Sequence, residues 1–260
     1  MKLKKKGLLG LVITAFYVAG IVAALHAALN TRTPTGAVAW SVSLVTLPFV
    51  AVPAYTIFGR NRFEGMADAF AQRHDEIEGV LTGYRNALQP WSITMAEAPS
   101  WYRAANKLSG QELVRGNAVE LLINGNATFD SILQGIAAAE DYVLFQFYMI
   151  HDDELGNRVK EALEERARSG VQVMVLYDEV GSSGLPRKFV EEMRNAGIKV
   201  SAFRPTQGWR NRFQLNFRNH RKLVVVDGKT AWIGGHNVGD EYLGKHPTLT
   251  PWRDTHVAVR

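Results

Sequence analysis

The stretch that decides the fold is residues 219–237, which are NHRKLVVVDGKTAWIGGHN. Its centre, residues 223–226, is a short run of branched apolar side chains that predicts a buried strand. A second short strand is predicted over residues 230–233, and Asp227-Gly228 between the two is a pair suited to a tight hairpin turn. The hairpin is therefore a fold element with polar residues placed just outside both of its ends.

Strands and helices alternate on the amino-terminal side of this hairpin. Buried or half-buried strands are predicted over residues 119–123, 142–149, 171–177 and 198–203. Helices are predicted over residues 128–139, 156–169 and 185–196, the last two ended by glycine. This alternation predicts an α/β fold of α/β/α layers with a mixed sheet, which is largely parallel in its first part.

Two long apolar runs precede the α/β region. Residues 8–29 and 36–58 contain no Asp, Glu, Lys or Arg, and a helix of the first length reaches roughly 33 Å, enough to cross a bilayer core. Lysines precede the first run and arginines follow the second, so both ends are expected in the cytoplasm. The sequence thus predicts a two-helix transmembrane hairpin. A cleaved signal peptide is the weaker alternative, because the first run is long and a second follows it.

Composition divides the chain of 260 residues into three predicted parts. They are a transmembrane hairpin at 1–60, a cytoplasmic linker with helices at 61–115, and an α/β domain at 116–260. The last part ends in a predicted strand with no turn after it, so the domain is expected to be incomplete at its carboxyl end. The net charge of +5 suits an anionic partner such as a lipid headgroup or nucleic acid. The absence of cysteine excludes disulfides and thiolate catalysis.

The chemistry is expected at His220 and Lys222. Residues two apart on a strand face the same side, so the two side chains are predicted to lie next to each other. A neutral imidazole is a good nucleophile toward phosphorus, and a neighbouring ammonium both stabilises phosphoryl charge and disfavours the protonated imidazole. No metal or other cofactor is required if side chains supply the positive charge. An exposed basic loop before a strand is the alternative.

Further residues strengthen the phosphate interpretation. Gly234 and Gly235 allow the backbone to approach a phosphate closely, and Asn237 can donate a hydrogen bond to it. With His220, Lys222 and Asp227, these residues match the pattern H-x-K-x4-D-x6-G-[GS]-x-N, which resembles the phospholipase D superfamily. In that pattern Asp227 belongs to the catalytic motif, but its place at the far end of the strand predicts a mainly structural role.

The flanking blocks resemble bacterial cardiolipin synthases more narrowly. The matching blocks include residues 219–222, 234–243 and 252–256, together with Asp152-Asp153, Leu176-Tyr177-Asp178 and the two apolar runs. The resemblance covers nearly the whole chain but only the first half of such an enzyme, with one of its two H-x-K motifs. It implies a phosphatidyltransferase in the bacterial inner membrane, a multi-pass protein whose catalytic domain faces the cytoplasm.

The resemblance also implies a mechanism and a set of partners. His220 would attack a phosphodiester to form a phosphohistidine, Lys222 would bind phosphate, and a second motif would supply the proton donor. Two phosphatidylglycerol molecules would give cardiolipin and glycerol. Partners would be phosphatidylglycerol and other anionic membrane lipids, with no nucleic acid. A homodimer is the expected route to a second motif if this chain lacks one.

A basic and aromatic segment, residues 203–222, supports a lipid substrate. It contains no acidic residue, and Arg218 within it is a candidate for substrate binding. Single-stranded nucleic acid is the alternative ligand for such a segment. Two other functions remain open, namely a phospholipase D-like phosphodiesterase or nuclease and an inactive truncated membrane protein.

Two groups of carboxylates leave alternatives open. Asp240, Glu241 and Asp254 are the candidates for orienting His220, and the sequence does not rank them. Residues 151–154 (HDDE) have the composition of a metal cluster. Helix capping is the favoured interpretation there, because a strand runs directly into a helix.

Overall fold

A computed structural model describes residues 2–31, 33–59, 74–93, 99–109, 113–203 and 218–260. The chain divides into two compact units, residues 1–73 with 205–217 and residues 74–204 with 218–260. The three-part division with boundaries at residues 60 and 115 stays a prediction.

Within the described residues, the first unit contains the helices α1 (Lys2–Asn30), α2 (Pro34–Thr46) and α3 (Pro48–Phe58). Gly7–Asn30 is the helix in the described part of the chain that is long and apolar enough to cross a membrane. The second apolar run was predicted as one continuous span, but the structure divides it into two helices, α2 and α3. The run breaks at Leu47 (φ −131°, ψ 56°), because Pro48 has no N–H to continue α2 and instead begins α3.

Helices α1, α2 and α3 pack around a small cluster of buried side chains. Its members are Ala24, Ala27, Leu44, Ala51 and Tyr55. Tyr55 shares a hydrogen bond of 2.8 Å with Nδ1 of His26. The pairing gives both polar groups a hydrogen-bond partner among apolar side chains.

The second unit is built on a mixed sheet of seven strands. In chain order the strands are β1 (Val119–Ile123), β2 (Tyr142–Phe147), β3 (Gln172–Asp178), β4 (Lys199–Phe203), β5 (Leu223–Val226), β6 (Thr230–Gly234) and β7 (Thr255–Val259). Their spatial order is β1-β7-β6-β5-β2-β3-β4. Strands β2, β3 and β4 are parallel and all other pairs are antiparallel. The predicted mixed sheet is confirmed, although β1 pairs with β7 and lies outside the parallel part.

Five helices belong to this unit within the described ranges. They are α4 (His74–Leu88), α5 (Tyr102–Ser109), α6 (Asn124–Ala137), α7 (Glu154–Arg168) and α8 (Arg187–Asn195). Helix α6 begins four residues earlier than predicted, because Asn124 turns the chain directly out of β1 with φ +66°. Asparagine tolerates this left-handed conformation better than most residues.

The core lies between the sheet and helices α6, α7 and α8. One row of paired residues crosses the sheet through Val175, Phe145, Val224, Trp232 and Ala258, and all five are buried. The alternate positions carry exposed apolar side chains, namely Leu144, Met174 and Ile233. The helical layer predicted for this second face stays a prediction.

The sheet order decides where the polar residues meet. Strand β5 lies next to β2, and β2 lies next to β3. Because β5 is antiparallel to β2 and β2 is parallel to β3, the residues that precede β5 meet the residues that end β2 and β3. The same edge receives the end of β6 and the start of β7. Side chains at or just beyond the ends of these five strands are therefore brought close together.

Candidate active site

His220 and Lys222 lie against each other just before β5. Nζ of Lys222 is 2.9 Å from Nδ1 and 3.3 Å from Nε2 of His220, and it donates to the His220 carbonyl oxygen at 2.9 Å. Lys222 is 4% exposed, whereas His220 is open to solvent. The predicted juxtaposition is confirmed, but the strand that was expected to cause it begins only at Leu223. The contact arises instead because the Lys222 side chain folds back onto the backbone of His220.

The surroundings keep the imidazole neutral. Partial burial lowers the pKa of His220, the positive charge of Lys222 lowers it further, and the negative charge of Asp178 acts in the opposite direction. Burial also lowers the pKa of Lys222, with Asp254 opposing that change. A neutral imidazole beside an ammonium is the state in which one group can attack phosphorus while the other stabilises phosphoryl charge.

The ring of Tyr148 packs against the side chains of both His220 and Lys222. Its ring lies 4.5 Å from the His220 ring, and Nζ of Lys222 lies 5.4 Å from its centroid. A cation over an aromatic face is attracted by the ring quadrupole, so Tyr148 supports the buried ammonium. The sequence analysis missed this residue. The available signal was its position immediately after the buried strand β2, at the edge where the parallel strands end.

Asn219, the residue before His220, is held at two points. Its backbone N–H donates to Oδ2 of Asp178 at 2.9 Å, and its side-chain oxygen accepts from Nε2 of Gln146 at 2.9 Å. Asp178 is fully buried and was not among the predicted site residues. Residues 218–222 belong to no strand. The two contacts of Asn219 therefore help to fix the position of the backbone just before His220.

The glycine turn after β6 brings the backbone close to a carboxylate. Gly234 ends β6, and Gly235 donates its N–H to the carbonyl of Thr255 at 3.1 Å. A Cβ atom on Gly235 would overlap the carboxylate of Asp254. The glycine is therefore required by close packing inside the protein, and its predicted approach to a phosphate stays a prediction.

Asn237 is buried and binds protein groups on both sides. Its Oδ1 accepts from the N–H of Met149 at 3.2 Å, and its Nδ2 donates to the Tyr242 hydroxyl at 2.7 Å. These contacts tie the end of β2 to the 3₁₀ turn Asp240–Leu243. One amide hydrogen is therefore already used, and the predicted donation to substrate remains a prediction.

Two buried histidines lie beneath this turn. His236 is 0% and His256 is 1% exposed, and their Nδ1 atoms are 3.0 Å apart. One ring must donate and the other accept, so the two rings hold opposite tautomers. Both Nε2 atoms are buried without a hydrogen-bond partner. Burial, followed by the proximity of His236, lowers the pKa of His256 to about 4.

The three carboxylates proposed to orient His220 have different surroundings. Asp240 accepts the N–H of Leu155 at 2.9 Å and that of Glu154 at 3.3 Å, which caps α7. Glu241 is buried with Oε2 at 3.5 Å from Nδ1 of His151.

Asp254, the third carboxylate proposed to orient His220, acts electrostatically on Lys222. Of the carboxylates in the described residues, it is Asp178 that acts on the charge of His220.

Asp227 lies at the opposite end of β5 from His220. Its carboxylate accepts the backbone N–H groups of Glu140, Asp141 and Tyr142 at 2.8–2.9 Å. Burial acts to raise the pKa of Asp227, but these three hydrogen bonds outweigh it and the pKa is lowered. This placement supports the structural role that was expected for Asp227 and separates it from the His220–Lys222 pair.

Two sequence predictions concern the edges of the site. Arg218 is half-buried and its role in substrate binding stays a prediction. The rest of the basic and aromatic segment, residues 204–217, lies outside the described residues.

A mixed cluster of possible ligand atoms lies beside α7. His151, Asp153 and Glu241 place ligand atoms within 4.8 Å of one another. Asp153 caps α7 by accepting from Gly156 at 2.9 Å, and its other oxygen accepts from Asp240 at 2.8 Å. Both carboxylate oxygens are thus engaged by backbone N–H groups, which is the capping role that the sequence favoured.

Comparison with known proteins finds similarity around this site. Residues 132–246 match the family model described as cardiolipin synthase, PLD-like domain. Cardiolipin synthase A of Pseudomonas fluorescens (strain SBW25) is 46% identical over 257 residues, which are 97% of this chain and 53% of that protein. Cardiolipin synthase A of Pseudomonas putida (strain GB-1) is 48% identical over 255 residues, 96% of this chain and 53% of that protein. The chain spans about half the length of these curated relatives.

A weaker likeness is found among solved structures. NucT from Helicobacter pylori has a TM-score of 0.42 and 14% sequence identity, and the match covers 55% of this chain and 86% of that chain.

The matched residues include the His220–Lys222 pair and the strands from β2 to β6. The chain is therefore similar to cardiolipin synthases in its PLD-like domain and over about half of their length.

Proposed function

We propose that this chain carries one part of the active site of a phosphatidyltransferase that converts two phosphatidylglycerol molecules into cardiolipin and glycerol. The observation that carries the proposal is the 2.9 Å contact between Nζ of Lys222 and Nδ1 of His220, at an edge open to solvent. The match to the cardiolipin synthase domain supports the choice of a lipid phosphodiester as substrate.

The reaction proceeds in two displacements at phosphorus. In the first, a ring nitrogen of His220 attacks the diester of one phosphatidylglycerol, the bond from phosphorus to the glycerol headgroup breaks, and the leaving oxygen takes a proton from a general acid. In the second, a hydroxyl of another phosphatidylglycerol attacks the phosphohistidine, the N–P bond breaks, and the hydroxyl proton passes to a base. Lys222 stabilises the phosphoryl oxygens in both steps. The covalent intermediate conserves the diester energy, so no nucleotide is needed.

The general acid is proposed to come from a second motif of the same kind. Among the described residues, His236 and His256 are buried and hydrogen-bonded to each other. The second motif would lie in the part of such an enzyme that this chain does not span, or in a second copy of this chain.

The location follows from the amino-terminal unit. Helix Gly7–Asn30 has the length and composition of a membrane span, and a membrane substrate is reached most readily by an anchored enzyme. We propose residues 1–60 as the membrane region in the bacterial inner membrane, residues 61–115 as the connection, and residues 116–260 as a catalytic domain that faces the cytoplasm. The positive charges that flank the apolar runs support this orientation.

Labelled phosphatidylglycerol in membranes that contain the protein tests the proposal. Labelled cardiolipin and free glycerol are expected from the native chain and from Lys188→Ala, an exposed lysine on α8 far from the pair in sequence. His220→Ala is expected to abolish both products. Phosphatidic acid without cardiolipin would assign the protein to the hydrolases instead, and turnover that survives His220→Ala would refute the mechanism.

The source of the second motif needs a separate measurement. The mass of the active species in detergent distinguishes the two possibilities. A dimer that loses activity on dissociation supports pairing of two copies, whereas an active monomer of this chain alone contradicts it.

A further inference from the structure

Asp178 is the last residue of β3, and its carboxylate is fully buried. Three backbone N–H groups surround it. Oδ1 accepts from Val180 at 2.9 Å and from Gly181 at 3.0 Å, which closes the turn after β3. Oδ2 accepts from Asn219 at 2.9 Å, a residue 41 positions further along the chain. The turn after β3 uses only Oδ1, so Oδ2 is available for the contact with Asn219, the residue before His220.

The neighbouring strand holds the same residue from its other side. Nε2 of Gln146, on β2, donates to the side-chain oxygen of Asn219 at 2.9 Å. Asn219 is thus fixed by its backbone to β3 and by its side chain to β2. Because residues 218–222 form no ladder hydrogen bonds of a strand, these two contacts take the place of regular structure in front of His220.

We propose that Asp178 is the positioning residue for His220: its buried carboxylate holds the Asn219 amide, and through it the imidazole, at the edge of the sheet. Gln146 completes this clamp on Asn219. The assignment rests on the proposed role of His220 as nucleophile for its catalytic meaning, but the clamp itself is a property of the folded chain.

The charge of Asp178 gives the clamp a second effect. Among the described residues, the ammonium of Lys222 and the phenol ring of Tyr148 contact His220, and the carboxylate of Asp178 acts on it through its charge. Asp178 is the anionic member of this set, and it opposes the depression of the His220 pKa that burial and Lys222 cause. An imidazole that takes a phosphoryl group on one nitrogen and keeps hydrogen on the other is cationic. A buried carboxylate nearby stabilises that cation against the repulsion of Lys222.

The test is a histidine NMR titration of the full chain in detergent micelles. The His220 resonances are assigned by their loss in His220→Ala. Asp178→Asn keeps the shape of the side chain and one acceptor oxygen but removes the charge, and it is expected to lower the pKa of His220 below its native value. Gln146→Met removes the hydrogen bond and keeps the charge, so it is expected to leave the His220 pKa unchanged.

Amide hydrogen exchange reports the clamp directly. Loss of one hydrogen bond is expected to speed exchange at Asn219 by roughly tenfold in either variant. A folded Asp178→Asn protein with the native His220 pKa and native exchange at Asn219 would overturn the proposal. If that variant does not fold, the native protein still decides, because exchange of the Asn219 amide at the rate of an unprotected amide would exclude the clamp.

Neither measurement requires turnover. A chain without transferase activity can therefore still show the clamp, and an active chain can still lack it. Where activity is present, Asp178→Asn is expected to move the acidic limb of the pH–rate profile to lower pH, and Gln146→Met is expected to lower kcat without moving that limb.

Discussion

Nζ of Lys222 lies 2.9 Å from Nδ1 of His220, and the lysine that makes this contact is almost entirely buried. Two cations at this distance repel, so the imidazole is neutral wherever the ammonium is charged. The contact therefore places a neutral imidazole beside a buried positive charge. It does so with residues two positions apart.

Replacing Lys222 by Met should raise the pKa of His220. Burial and the lysine charge both lower it in the native protein, and the variant removes the second cause. Histidine NMR titration measures the change, with Lys188→Met on α8 as the matched control that should leave the pKa of His220 at its native value. Turnover should fall by roughly a hundredfold or more, because a charge aimed at the phosphoryl group is lost. An unchanged His220 pKa would show that Lys222 does not face the ring in solution.

Replacing Asp227 by Ala should act on stability. The change removes the acceptor of three backbone N–H groups and places alanine at φ +51°, which together should lower the free energy of unfolding by on the order of 3 kcal/mol. Asp227→Asn keeps an acceptor and tolerates the turn, so its loss should be smaller. Denaturant unfolding measures both variants. Full stability together with abolished turnover would instead assign Asp227 a catalytic role.

The buried pair His236 and His256 should make the domain sensitive to mild acid. His256 titrates at about 4 in the folded protein against 6.5 as its ordinary value. Because its folded pKa is depressed, the stability that it contributes is complete above pH 6.5 and is lost as the pH falls toward 4. The loss is about 3 kcal/mol in total.

A variant isolates this titration. His256→Asn places an amide nitrogen near the position of Nδ1 but does not titrate, so its free energy of unfolding should fall less than that of the native protein between pH 7.5 and pH 5. The nearby charges of Lys222, Arg253 and Asp254 stay in place. Parallel pH dependence in the two proteins would show that His256 is not the responsible group.

Replacing Gly235 by Ala should displace Asp254. The added Cβ would overlap the Asp254 carboxylate, and such overpacking costs about 1–3 kcal/mol. Gly184→Ala is the matched control, because no atom lies within 4 Å of the position where its Cβ would be added. Thermal unfolding of the two variants should show a lower midpoint for Gly235→Ala alone. Equal midpoints would mean that the turn after β6 is looser than the packing indicates.

The local elements were predictable because their signals are local. Residues 119–123 and 223–226 were predicted as strands and are strands, and Gly170 and Gly197 end helices with φ above +90°. Boundaries were less accurate where one residue decides them. Asn124 removes the loop between β1 and α6, and Pro48 divides the second apolar run.

The partners of the site residues were not predictable in the same way. The hydrogen bonds of Asn237 to Tyr242 and to the backbone of Met149 were not predicted, and its donation to a phosphate stays a prediction. Asp240 and Glu241 were candidates for orienting His220, yet they face α7 and His151. Each of these contacts joins segments that the sequence separates, or depends on a rotamer that local spacing does not specify.

The sequence by itself placed His220 and Lys222 within reach of each other, because only one residue separates them along the chain. It also determined the hairpin around Asp227 and the alternation of strands and helices. Only the tertiary structure decided what surrounds His220. Tyr148 reaches its ring, and Asp178 reaches the preceding residue Asn219, because β5 lies beside β2 and β2 beside β3. Strand order is a property of the whole sheet, set by which faces can be buried together, so no stretch of sequence around the motif contains it.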